Sequence, residues 1–390
     1  MNFIIVGLQP WDIEIGSNCK NIALELSKNH TVLYVNAPLS RKQTCLERTV
    51  PRVKKRLEYL KSGEVVFEKI NENLTVYYPD CIVEIANSLR PHFLFKAINK
   101  INNKRFAKSI QKAVSKLELD EYVLFNDNSI YLGYYLKELL KPKSYIYYIR
   151  DNLTSMKFWK YHGSRLEPSL IAKADLIVTN SNYYETYARE FNENSHMIGQ
   201  GCDFEFLDKI QNKNDFPKLK SPIIGYIGFL TTLRLSIDLI HEIAQKQPKW
   251  NIVLIGPEDE NFKNSKLHKC ENIHFLGSKN VENLSYYLNE FDVCINPQIV
   301  NEITIGNYPR KIDEYLYMGK PCVATNTTAM DYFKDYVSLA NSSEEYIDEI
   351  QKAIENDTSE NQVARKEFAK THTWQQSVNE MEKHIQTIPN

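Results

Sequence analysis

The stretch IGNYPRKIDEYLYMGKPCVAT, residues 305–325, concentrates residue types that could bind a phosphorylated ligand. Pro309 fits the first turn of a helix, where its missing N–H would have no partner in any case. The free N–H groups of that turn attract an anion, and Arg310 and Lys311 add full positive charge. Glu314 follows on about the same helix face, and a carboxylate accepts hydrogen bonds from vicinal hydroxyls such as those of a ribose. This spacing predicts a phosphate site and a sugar-diol site one helical turn apart, as a nucleoside diphosphate would need.

A second stretch, GYIGFLTTLRLSIDLI over 225–240, offers a phosphate loop at the end of an apolar strand. Gly225 and Gly228 permit close approach of the backbone to a phosphate, because glycine has no side chain in the way. Thr231 and Arg234 lie in the loop that follows, and a guanidinium can hold two phosphate oxygens at once. A G-x-x-G with a nearby arginine is a weak signal by itself, but the first stretch lies later in the same predicted domain and strengthens it.

These residues must be positioned by parallel β-sheets, because apolar runs that end in polar residues alternate with helical patterns along most of the chain. The first half contains predicted strands at 2–8, 31–38, 74–79, 122–127, 144–151 and 174–181, and a helix at 17–28 that Ser17 would cap. The second half contains predicted strands at 222–228, 250–256, 272–277, 292–297 and 321–325, and helices at 234–246, 281–290, 308–319 and 343–355. The alternation predicts two similar α/β domains.

The polar, proline-containing stretch QNKNDFPKLKSP, residues 211–222, is the predicted linker between the two domains. We expect an N-terminal domain over 1–210, a C-terminal domain over 218–370, and a closing helix over 371–390 that packs on the N-terminal domain. Two parallel-sheet domains joined in this way form a cleft between their strand ends, which suits two substrates held one per domain.

The composition excludes several classes of protein. The 390 residues are 43% hydrophobic and 25% charged, as in a globular protein rather than a disordered one. No apolar run is long enough to span a membrane, and the opening MNFIIVGLQPW lacks the charged start of a signal peptide. The seven cysteines are scattered without a CxxC spacing, which argues against disulfides and against a zinc site. We therefore expect a reducing, cytoplasmic location.

Positive charge is concentrated in the N-terminal half, within a less regular region over 40–116. Segment 90–116 contains eight lysines and arginines and no acidic residue, and segment 41–61 contains eight against two acids. The lysines of 90–116 alternate with apolar residues at helical spacing, which predicts a basic amphipathic helix able to lie on an anionic lipid surface. We expect peripheral membrane contact around 41–116.

Three segments of the second half carry a family resemblance: YIGFLTTLRLSIDLI, NIHFLGSKNVENLSYYLNEFDVCINP and NYPRKIDEYLYMGKPCVAT. They resemble the donor-binding domain of GT-B glycosyltransferases, and within that fold the group 1 enzymes of bacterial cell-surface polysaccharide assembly. The opening GLQPWDIEIGSNCKNIALELSKNHTVLYVNAP, the segment from YIYYIRDN to ADLIVTNS, HMIGQGCD and the closing THTWQQSV resemble the same family. The resemblance covers nearly the whole chain except about 40–116. It implies an α/β GT-B fold, with two Rossmann-like domains facing across a cleft and a C-terminal helix crossing back.

The resemblance also implies a reaction and a set of site residues. The reaction is transfer of a sugar from a nucleotide sugar, a UDP- or GDP-sugar, to a saccharide or lipid-linked saccharide, with no metal and no cofactor. Glu314 would hold the ribose hydroxyls, and Lys311 and Arg234 the diphosphate. The rest of the donor site would consist of Gly228, Thr231, Asn307, Tyr308, Pro309 and Arg310.

Two positions depart from the family pattern. Gly306 stands eight residues before Glu314, where the family often has a second glutamate, so donor-sugar recognition and the choice between retention and inversion stay open. Phe229 stands where many relatives have a basic residue, which leaves more of the phosphate binding to Arg234.

An inverting transfer needs a general base near the acceptor hydroxyl. Asp151, at the end of the strand SYIYYIRD, matches an aspartate often found there in the family, and a role as a strand-end cap explains it equally well. Asp12, in the loop after the first strand, is the second candidate, although an Asx-turn explains it better. Gly16 and Ser17 open a helix whose N-terminus would face the donor phosphates or the acceptor. His162, a lone histidine in a polar sequence, is expected at the surface.

Two other functions stay open. A nucleotide-sugar epimerase of the non-hydrolysing type shares this architecture, but it would need several carboxylates and histidines around the sugar, and Gly306 counts against it. A non-catalytic module that binds nucleic acid or membrane would have no use for Glu314 at a diol site. A dinucleotide-dependent dehydrogenase is disfavoured because neither GLQPWD nor GYIGFL is a G-x-G-x-x-G. The expected partners are a nucleotide sugar, an acceptor and an anionic membrane surface at the inner face of the plasma membrane, and no nucleic acid.

Overall fold

The computed structural model describes residues 1–13, 16–209 and 215–388. The chain divides into two compact units: unit 1 comprises residues 1–180, 184–199 and 377–390, and unit 2 comprises residues 181–183 and 200–376. Residues 211–214 of the predicted linker lie outside the described residues.

The elements of the first half of the chain alternate between strands and helices. The strands are β1 (Asn2–Val6), β2 (Thr31–Val35), β3 (Leu39–Ser40), β4 (Val66–Lys69), β5 (Leu74–Tyr78), β6 (Ile82–Val83), β7 (Tyr122–Asp127), β8 (Ser144–Ile149), β9 (Leu176–Thr179) and β10 (Ser195–Met197). The helices are α1 (Asn18–Leu26), α2 (Arg41–Leu46), α3 (Pro51–Ser62), α4 (His92–Lys116), α5 (Leu136–Leu140), α6 (Lys157–Lys173) and α7 (Asn182–Arg189).

The sheet of unit 1 has eight strands in the order β10-β9-β8-β7-β1-β2-β5-β4. Its pairs are parallel except for β4, which runs antiparallel to β5 at the edge. Every residue of β7 and β8 is buried, because helices cover both faces of a parallel sheet. The order of strands along the sheet reverses at β1: β2 lies on one side of it and β7 on the other, which makes the gap between β1 and β7 the switch point of the topology.

The second half of the chain repeats this architecture with fewer strands. The strands are β11 (Ile223–Ile227), β12 (Asn251–Ile255), β13 (Ile273–Gly277), β14 (Val293–Asn296), β15 (Cys322–Thr325) and β16 (Ser338–Ala340). The helices are α8 (Ile237–Lys246), α9 (Glu260–Lys263), α10 (Leu284–Asn289), α11 (Lys311–Tyr317), α12 (Ser343–Asn356), α13 (Ser359–Lys370) and α14 (Trp374–Gln386). The sheet of unit 2 is wholly parallel, in the order β13-β12-β11-β14-β15-β16, with its switch point between β11 and β14. Two Rossmann-like sheets are thus present, as predicted.

The predicted strands are found within a few residues of their expected ends, and most of them stop earlier. β2 ends at Val35 because the side chain of Asn36 accepts a hydrogen bond from Trp11 N–H at 2.7 Å and donates to Tyr77 O at 3.2 Å. The polar residue at the carboxyl end of β2 therefore holds the loop that contains Trp11. Ser17 caps α1 as predicted, and its side chain accepts from Lys20 N–H.

Three expectations about single residues or elements were wrong. The helix predicted over 308–319 begins only at Lys311 and ends at Tyr317, so Pro309 precedes it. Gly225 lies inside β11, where a side chain would collide with the ring of Phe291 at 2.0 Å, so its role is packing rather than phosphate approach. His162 is fully buried in α6, where its ring stacks on a neighbouring aromatic side chain. In the described part of the chain, no helix is long and apolar enough to cross a membrane.

Candidate functional site

The carboxyl end of β11 brings the ammonium group of Lys311 against the backbone of Gly228. Lys311 Nζ donates to the hydroxyl of Tyr226 at 2.8 Å and lies 4.6 Å from the centre of that ring. A Cβ added at Gly228 would be 2.7 Å from Nζ, and the φ of +151° at Gly228 is one that side chains rarely adopt. Among the described residues Lys311 forms no ion pair with a carboxylate. The positive charge is therefore available to a ligand at this strand end.

A second glycine, Gly256, packs against the backbone at the carboxyl end of β11. Gly256, which follows β12, has a φ of +144°, and a Cβ there would lie 1.9 Å from the carbonyl oxygen of Gly228. Gly228 N–H donates to Ile255 O at 2.8 Å, so the two loops are in direct contact. A side chain at Gly256 would have to displace the backbone of Gly228, and a side chain at Gly228 would have to displace Lys311 Nζ and the Tyr226 hydroxyl. Tyr226 and Gly256 were not singled out from the sequence.

The loop after β11 is held by Asp259, a residue that the sequence analysis left unassigned. Asp259 Oδ2 accepts from Thr232 N–H at 2.8 Å and from its hydroxyl at 3.2 Å, while Oδ1 caps α9 by accepting from Phe262 N–H at 2.7 Å. Burial alone would raise the pKa of Asp259, but these hydrogen bonds, with one from Thr231, lower it below its usual value. The aspartate three residues before Phe262 is a helix-cap signal that could have identified it.

Arg234 lies on this same loop with its guanidinium exposed. Its backbone is fixed, since its N–H donates to Thr231 O at 3.1 Å and its carbonyl accepts from Ile299 N–H at 2.9 Å. Within the described residues, the guanidinium has neither an ion-pair partner nor a hydrogen-bond partner. The loop thus presents a second unpaired cation near the switch point of unit 2.

Helix α11 places Lys311 and Glu314 one turn apart, but it offers fewer free N–H groups than predicted. Ile312 N–H donates to Pro309 O at 2.8 Å, and Asp313 N–H donates to Arg310 O at 3.1 Å. The helix is seven residues long, so its dipole is small. Attraction for an anion at this point rests on the cationic side chains rather than on the helix terminus.

Glu314 is a buried carboxyl group with cations beside it. Its side chain contacts Arg310, with 3.5 Å between Oε1 and Nε, and Arg310 itself is exposed. Burial raises the pKa of Glu314 above its usual value, while Arg310 and Lys311 act in the opposite direction. A carboxylate in this setting can accept two hydroxyl hydrogen bonds that replace the water lost on burial.

Tyr308 belongs to a buried cluster and not to an open surface. Its hydroxyl lies 3.4 Å from His372 Nδ1, and that same nitrogen is 2.6 Å from Asp313 Oδ1. His372 Nε2 is 3.1 Å from the hydroxyl of Tyr332. Burial raises the pKa of Asp313, which the contact with His372 opposes. This cluster, Tyr308, Asp313, Tyr332 and His372, fixes the buried face of α11, and the sequence analysis missed it.

The residues just before Tyr308 form a compact turn. Asn307 N–H donates to Thr304 O at 3.1 Å, and its side chain is half-buried. The carbonyl oxygen of Gly306 accepts from the hydroxyl of Ser181 at 2.8 Å. The backbone of Gly306 is therefore bound to another segment of unit 2.

Asp12, the second candidate base, is held by Arg56 of α3. Arg56 donates to both carboxylate oxygens, from Nε to Oδ2 at 3.0 Å and from Nη2 to Oδ1 at 2.5 Å, and it also donates to Ala37 O. Both side chains are nearly buried, at 13% and 10% exposure. A bidentate partner of this kind favours a structural role for Asp12 over proton transfer.

Asp151 lies two residues beyond the end of β8 and contacts Arg150. Arg150 Nη1 donates to Asp151 Oδ2 at 2.6 Å, while its Nε donates to the buried Asp127 at 2.9 Å. The Asp151 side chain is 37% exposed, so a substrate hydroxyl can still reach it. Of the two candidate bases, Asp151 is the accessible one.

Gly16 and Ser17 open α1 in unit 1. Ser17 is buried and its hydroxyl is occupied as the helix cap, whereas Gly16 is exposed and a Cβ there would meet nothing within 4 Å. Among the residues that the structure describes, no group of three or more His, Cys, Asp or Glu side chains has a metal-binding arrangement.

Comparison with known proteins covers both units. A family model described as Glycosyl transferases group 1 matches residues 221–356, which lie within unit 2. The Bacillus subtilis (strain 168) protein TuaH, provisionally named a teichuronic acid biosynthesis glycosyltransferase, is 25% identical over 240 residues. That alignment spans 58% of this chain and 60% of the length of TuaH.

Solved structures are similar over the whole length at low identity. HepE of Anabaena, in complex with UDP and glucose, is 15% identical with a TM-score of 0.63, and 99% of each chain is covered. Sucrose-phosphate synthase of Thermosynechococcus elongatus is 12% identical with a TM-score of 0.66, covering 99% of this chain and 98% of its own. OtsA, in its apo form, is 8% identical with a TM-score of 0.71 over 100% of both chains. Structural similarity at such low sequence identity establishes the fold alone, and that fold is of the GT-B type.

Proposed function

We propose that this chain transfers a sugar from a nucleotide sugar to an acceptor used in cell-surface polysaccharide synthesis. Its residues 221–356 match the Glycosyl transferases group 1 family, and its fold is of the GT-B type. One observation carries the proposal: the unpaired Lys311 ammonium lies against the bare backbone of Gly228, with buried Glu314 one turn along the same helix. A diphosphate and a ribose diol need such a pair of groups at such a spacing.

In this proposal the positive charges of unit 2 stabilise the leaving nucleoside diphosphate. Lys311 and the exposed Arg234 face the charge that develops on the diphosphate as the glycosidic bond to the donor sugar breaks. Glu314 accepts the ribose hydroxyls and so fixes the nucleotide, while Gly228 lets the diphosphate approach the backbone. These cationic side chains supply the charge neutralisation, so we propose that transfer proceeds without a metal ion.

The nucleotide proposed first is UDP. HepE, which shares the fold, was solved with UDP and with UDP-glucose, and this supports testing uridine nucleotides before guanosine ones. The acceptor is a saccharide or a lipid-linked saccharide. The name of TuaH, which refers to teichuronic acid biosynthesis, supports an acceptor from cell-wall polysaccharide synthesis. If the reaction inverts, Asp151 takes the acceptor proton, because Asp12 is occupied by Arg56. We place the protein in the cytoplasm, peripheral to the inner face of the membrane.

The test is calorimetric titration with UDP, GDP, ADP, CMP and dTDP of the wild type and of the Glu314→Ala and Lys311→Ala variants. We expect one diphosphate to bind saturably in the micromolar range, and each variant to lose roughly 2 kcal/mol of binding free energy, or about thirtyfold in Kd. Glu290→Ala and Lys249→Ala are matched controls, because both side chains are exposed elsewhere in unit 2.

Binding of no nucleotide, or binding that Glu314→Ala leaves unchanged, would contradict the proposed donor site. Conversion of a UDP-sugar into its epimer without any acceptor would favour the epimerase instead. Addition of EDTA is expected to leave transfer unchanged, and a loss of transfer that Mg²⁺ or Mn²⁺ restores would overturn the metal-independent mechanism.

A further inference from the structure

Unit 2 contains a cavity of about 540 Å³ at the amino ends of β15 and β16. Pro321 and Cys322, where β15 begins, line it, and so does Val337, which precedes β16. Because the sheet is wholly parallel, these amino ends lie at the other edge from the carboxyl end of β11, where Lys311 meets Gly228. The cavity is therefore separate from the candidate donor site, and it is large enough for a small molecule.

A nearly buried arginine lines this cavity. Arg365 of α13 is only 7% exposed. Its Nε and Nη2 donate to the carbonyl oxygen of Gly319 at 3.1 and 2.9 Å, and Nη2 also donates to Asp357 Oδ1 at 2.5 Å. Among the described residues Nη1 forms no hydrogen bond, and it is not sealed from solvent. A fixed guanidinium with an open N–H edge is a strong donor for an anionic oxygen.

Two lysines add positive charge to the same cavity. Lys334 lines it and has no ion-pair partner in the described part of the chain. Lys352, also on the wall, contacts Glu349 at 2.6 Å, but the lysine side chain is 64% exposed. An exposed pair of this kind is weak, so a ligand can compete for the ammonium group. Together with Arg365, the two lysines make the cavity a site for an anion.

The other polar groups of the wall suit hydroxyls. Asn356 and Asn361 line the cavity, and within the described residues neither side-chain amide forms a hydrogen bond. Of the two carboxylates on the wall, Asp357 is occupied by the guanidinium, and Asp335 has no ion-pair partner among the same residues. Amides donate and accept, and a carboxylate accepts, which is what sugar hydroxyls need. Cations beside amides therefore indicate a phosphorylated sugar as the ligand.

Arg365 connects the cavity to the helix of the candidate donor site. Gly319, which accepts both guanidinium hydrogen bonds, lies just beyond the carboxyl end of α11, the helix that carries Lys311 and Glu314. The last carbonyl groups of a helix lack partners within it, and a cation there stabilises the helix. An anion on Nη1 leaves the bonds to Gly319 in place, so it would fix the guanidinium and with it the end of α11.

A series of aromatic contacts connects the cavity to the buried face of the same helix. Tyr336 lines the cavity, and its ring stacks on Phe368 with 4.0 Å between the centroids. The ring of Phe368 lies 4.5 Å from that of His372, whose Nδ1 is 2.6 Å from Asp313 Oδ1 in α11. Two separate sets of contacts thus extend from the cavity wall to α11.

We propose that this cavity is an effector site that binds a sugar phosphate, and that its occupation tightens nucleotide binding by fixing α11. Arg365, Lys334 and Lys352 hold the phosphate, and Asn356 and Asn361 bind the hydroxyls. Helix α11 is short and begins without a side-chain cap, so a ligand that favours its ordered position also favours the bound nucleotide. The effect on nucleotide binding rests on the proposed donor site, whereas the cavity does not.

The first test titrates glucose 6-phosphate into the full chain by calorimetry. We expect saturable binding by the wild type and binding at least about tenfold weaker by Lys334→Glu/Lys352→Glu, because the phosphate then meets two carboxylates. Both lysines are exposed, so the variant is expected to fold, and circular dichroism checks this. Lys249→Glu/Lys269→Glu is the matched control, with the same change of charge at exposed positions of unit 2 outside the cavity. Equal binding by the two double variants would overturn the site.

Competition separates the two parts of the ligand. Inorganic phosphate should displace glucose 6-phosphate, and glucose should not do so at the same concentration. Asn356→Ala/Asn361→Ala should weaken glucose 6-phosphate and leave inorganic phosphate unchanged. Displacement by glucose alone would overturn the anion site, and equal affinity of the wild type for inorganic phosphate and glucose 6-phosphate would overturn the assignment of a sugar.

The donor-site variant Lys311→Ala locates the binding. It should bind glucose 6-phosphate as the wild type does, because Lys311 lies at the other edge of the sheet. Loss of glucose 6-phosphate binding in this variant would place the ligand in the donor site and overturn the proposal.

The effector role is tested by titrating UDP with and without saturating glucose 6-phosphate. We expect UDP to bind at least about fivefold more tightly when the cavity is occupied, and glucose 6-phosphate to gain the same factor from UDP, since coupling between two sites is reciprocal. The gain should be absent in Lys334→Glu/Lys352→Glu. A Kd for UDP that glucose 6-phosphate leaves unchanged or raises would overturn the effector role.

The same titrations separate this inference from the function on which it rests. UDP binding without glucose 6-phosphate binding would overturn the effector site alone. Glucose 6-phosphate binding that depends on Lys334 and Lys352, without binding of any nucleotide, would support the cavity and overturn the donor site.

Discussion

At the scale of single residues, the candidate donor site depends on the absence of a side chain at one position. Gly228 leaves room for the Lys311 ammonium, and its backbone has a φ that is strained for any other residue. Lys311 in turn is directed by the hydroxyl of Tyr226 rather than by a carboxylate. The charge is thus positioned without being neutralised, which is what binding of a diphosphate requires.

We predict that Gly228→Ala abolishes measurable nucleotide binding and also lowers stability. The added methyl group would collide with Lys311 Nζ, and the strained φ costs on the order of 1–3 kcal/mol. Gly277→Ala is the matched control, because its φ of +66° is also strained but a Cβ there meets nothing within 4 Å. Calorimetry and thermal unfolding of both variants test this, and equal UDP affinity in the two would contradict the role given to Gly228.

Glu167 makes stability depend on pH. It is buried in α6, accepting from the hydroxyls of Tyr147 at 2.9 Å and Tyr187 at 3.4 Å. Burial raises its pKa from 4.5 to about 7, although both tyrosines act in the opposite direction. Because the pKa in the folded state is the higher one, its contribution to stability is complete below pH 4.5 and is lost as pH rises through about 7.

We therefore predict that the free energy of unfolding of the wild type falls by about 2–3 kcal/mol from this group between pH 5 and pH 8. Glu167→Gln keeps an acceptor for Tyr147 but cannot ionise, so it should remove that part of the pH dependence and be the more stable protein at pH 8. Urea unfolding at the two pH values measures this. Parallel pH profiles for wild type and variant would show that Glu167 does not titrate in this range.

At the scale of elements, α11 matters because it carries both Lys311 and Glu314, and its buried side is fixed by Asp313 and His372. The helix is short and begins without a side-chain cap, so little local energy holds it in place. The contact of 2.6 Å between Asp313 Oδ1 and His372 Nδ1 ties it to the residues just before α14. Asp313 and His372 are thus positioning residues for the candidate site.

We predict strong coupling between these two side chains in a double-mutant cycle. His372→Gln removes the ring that lies 2.6 Å from Asp313 Oδ1 and leaves this buried group short of a hydrogen-bond partner, which costs about 1–3 kcal/mol. Asp313→Asn/His372→Gln should be less destabilised than the sum of the single variants, by about 0.5–3 kcal/mol. Chemical unfolding measures the cycle. Additive effects would show that the two residues act independently. UDP titration of the double variant reports on the position of α11, and we expect weaker binding, that is, a higher Kd.

At the scale of the whole molecule, the chain returns to unit 1 after completing unit 2. Residues 377–390 belong to unit 1, where Met381 and Ile385 are buried. The ring of His384 stacks on His196 at 3.7 Å, and Glu382 contacts His30. The C-terminal segment is therefore part of the core of unit 1 although it follows unit 2 in sequence.

We predict that deletion of residues 377–390 destabilises unit 1 and spares unit 2. Each buried aliphatic side chain lost removes about 1.5–3 kcal/mol, so the total is a large part of the stability of a domain. Hydrogen exchange should accelerate at β1 and β2 and stay unchanged at β11 and β12. Deletion of residues 387–390 alone is the control. Uniform acceleration in both units would contradict the assignment of the segment to unit 1.

Much of the fold could be predicted because it follows from local pattern. Buried parallel strands are continuous apolar runs, and each such run was found close to its predicted place. The glycine at 228 and the cluster from Pro309 to Glu314 were also visible, because special backbone positions and charges on one helix face depend on neighbours in sequence. The short edge strand β4 and the strand β16 were not predicted, since a few half-buried residues have no distinctive period.

The sequence by itself determined the two α/β halves, the alternation of their elements and the chemical types gathered around Glu314. Only the tertiary structure decided which of those groups meet: Lys311 with Tyr226 and Gly228, Asp259 with the loop after β11, Asp313 with His372, and Asp12 with Arg56. The physical reason is that a strand or helix forms from interactions between near neighbours in the chain. A site forms between elements whose adjacency depends on the order of strands in the sheet, and no local pattern specifies that order.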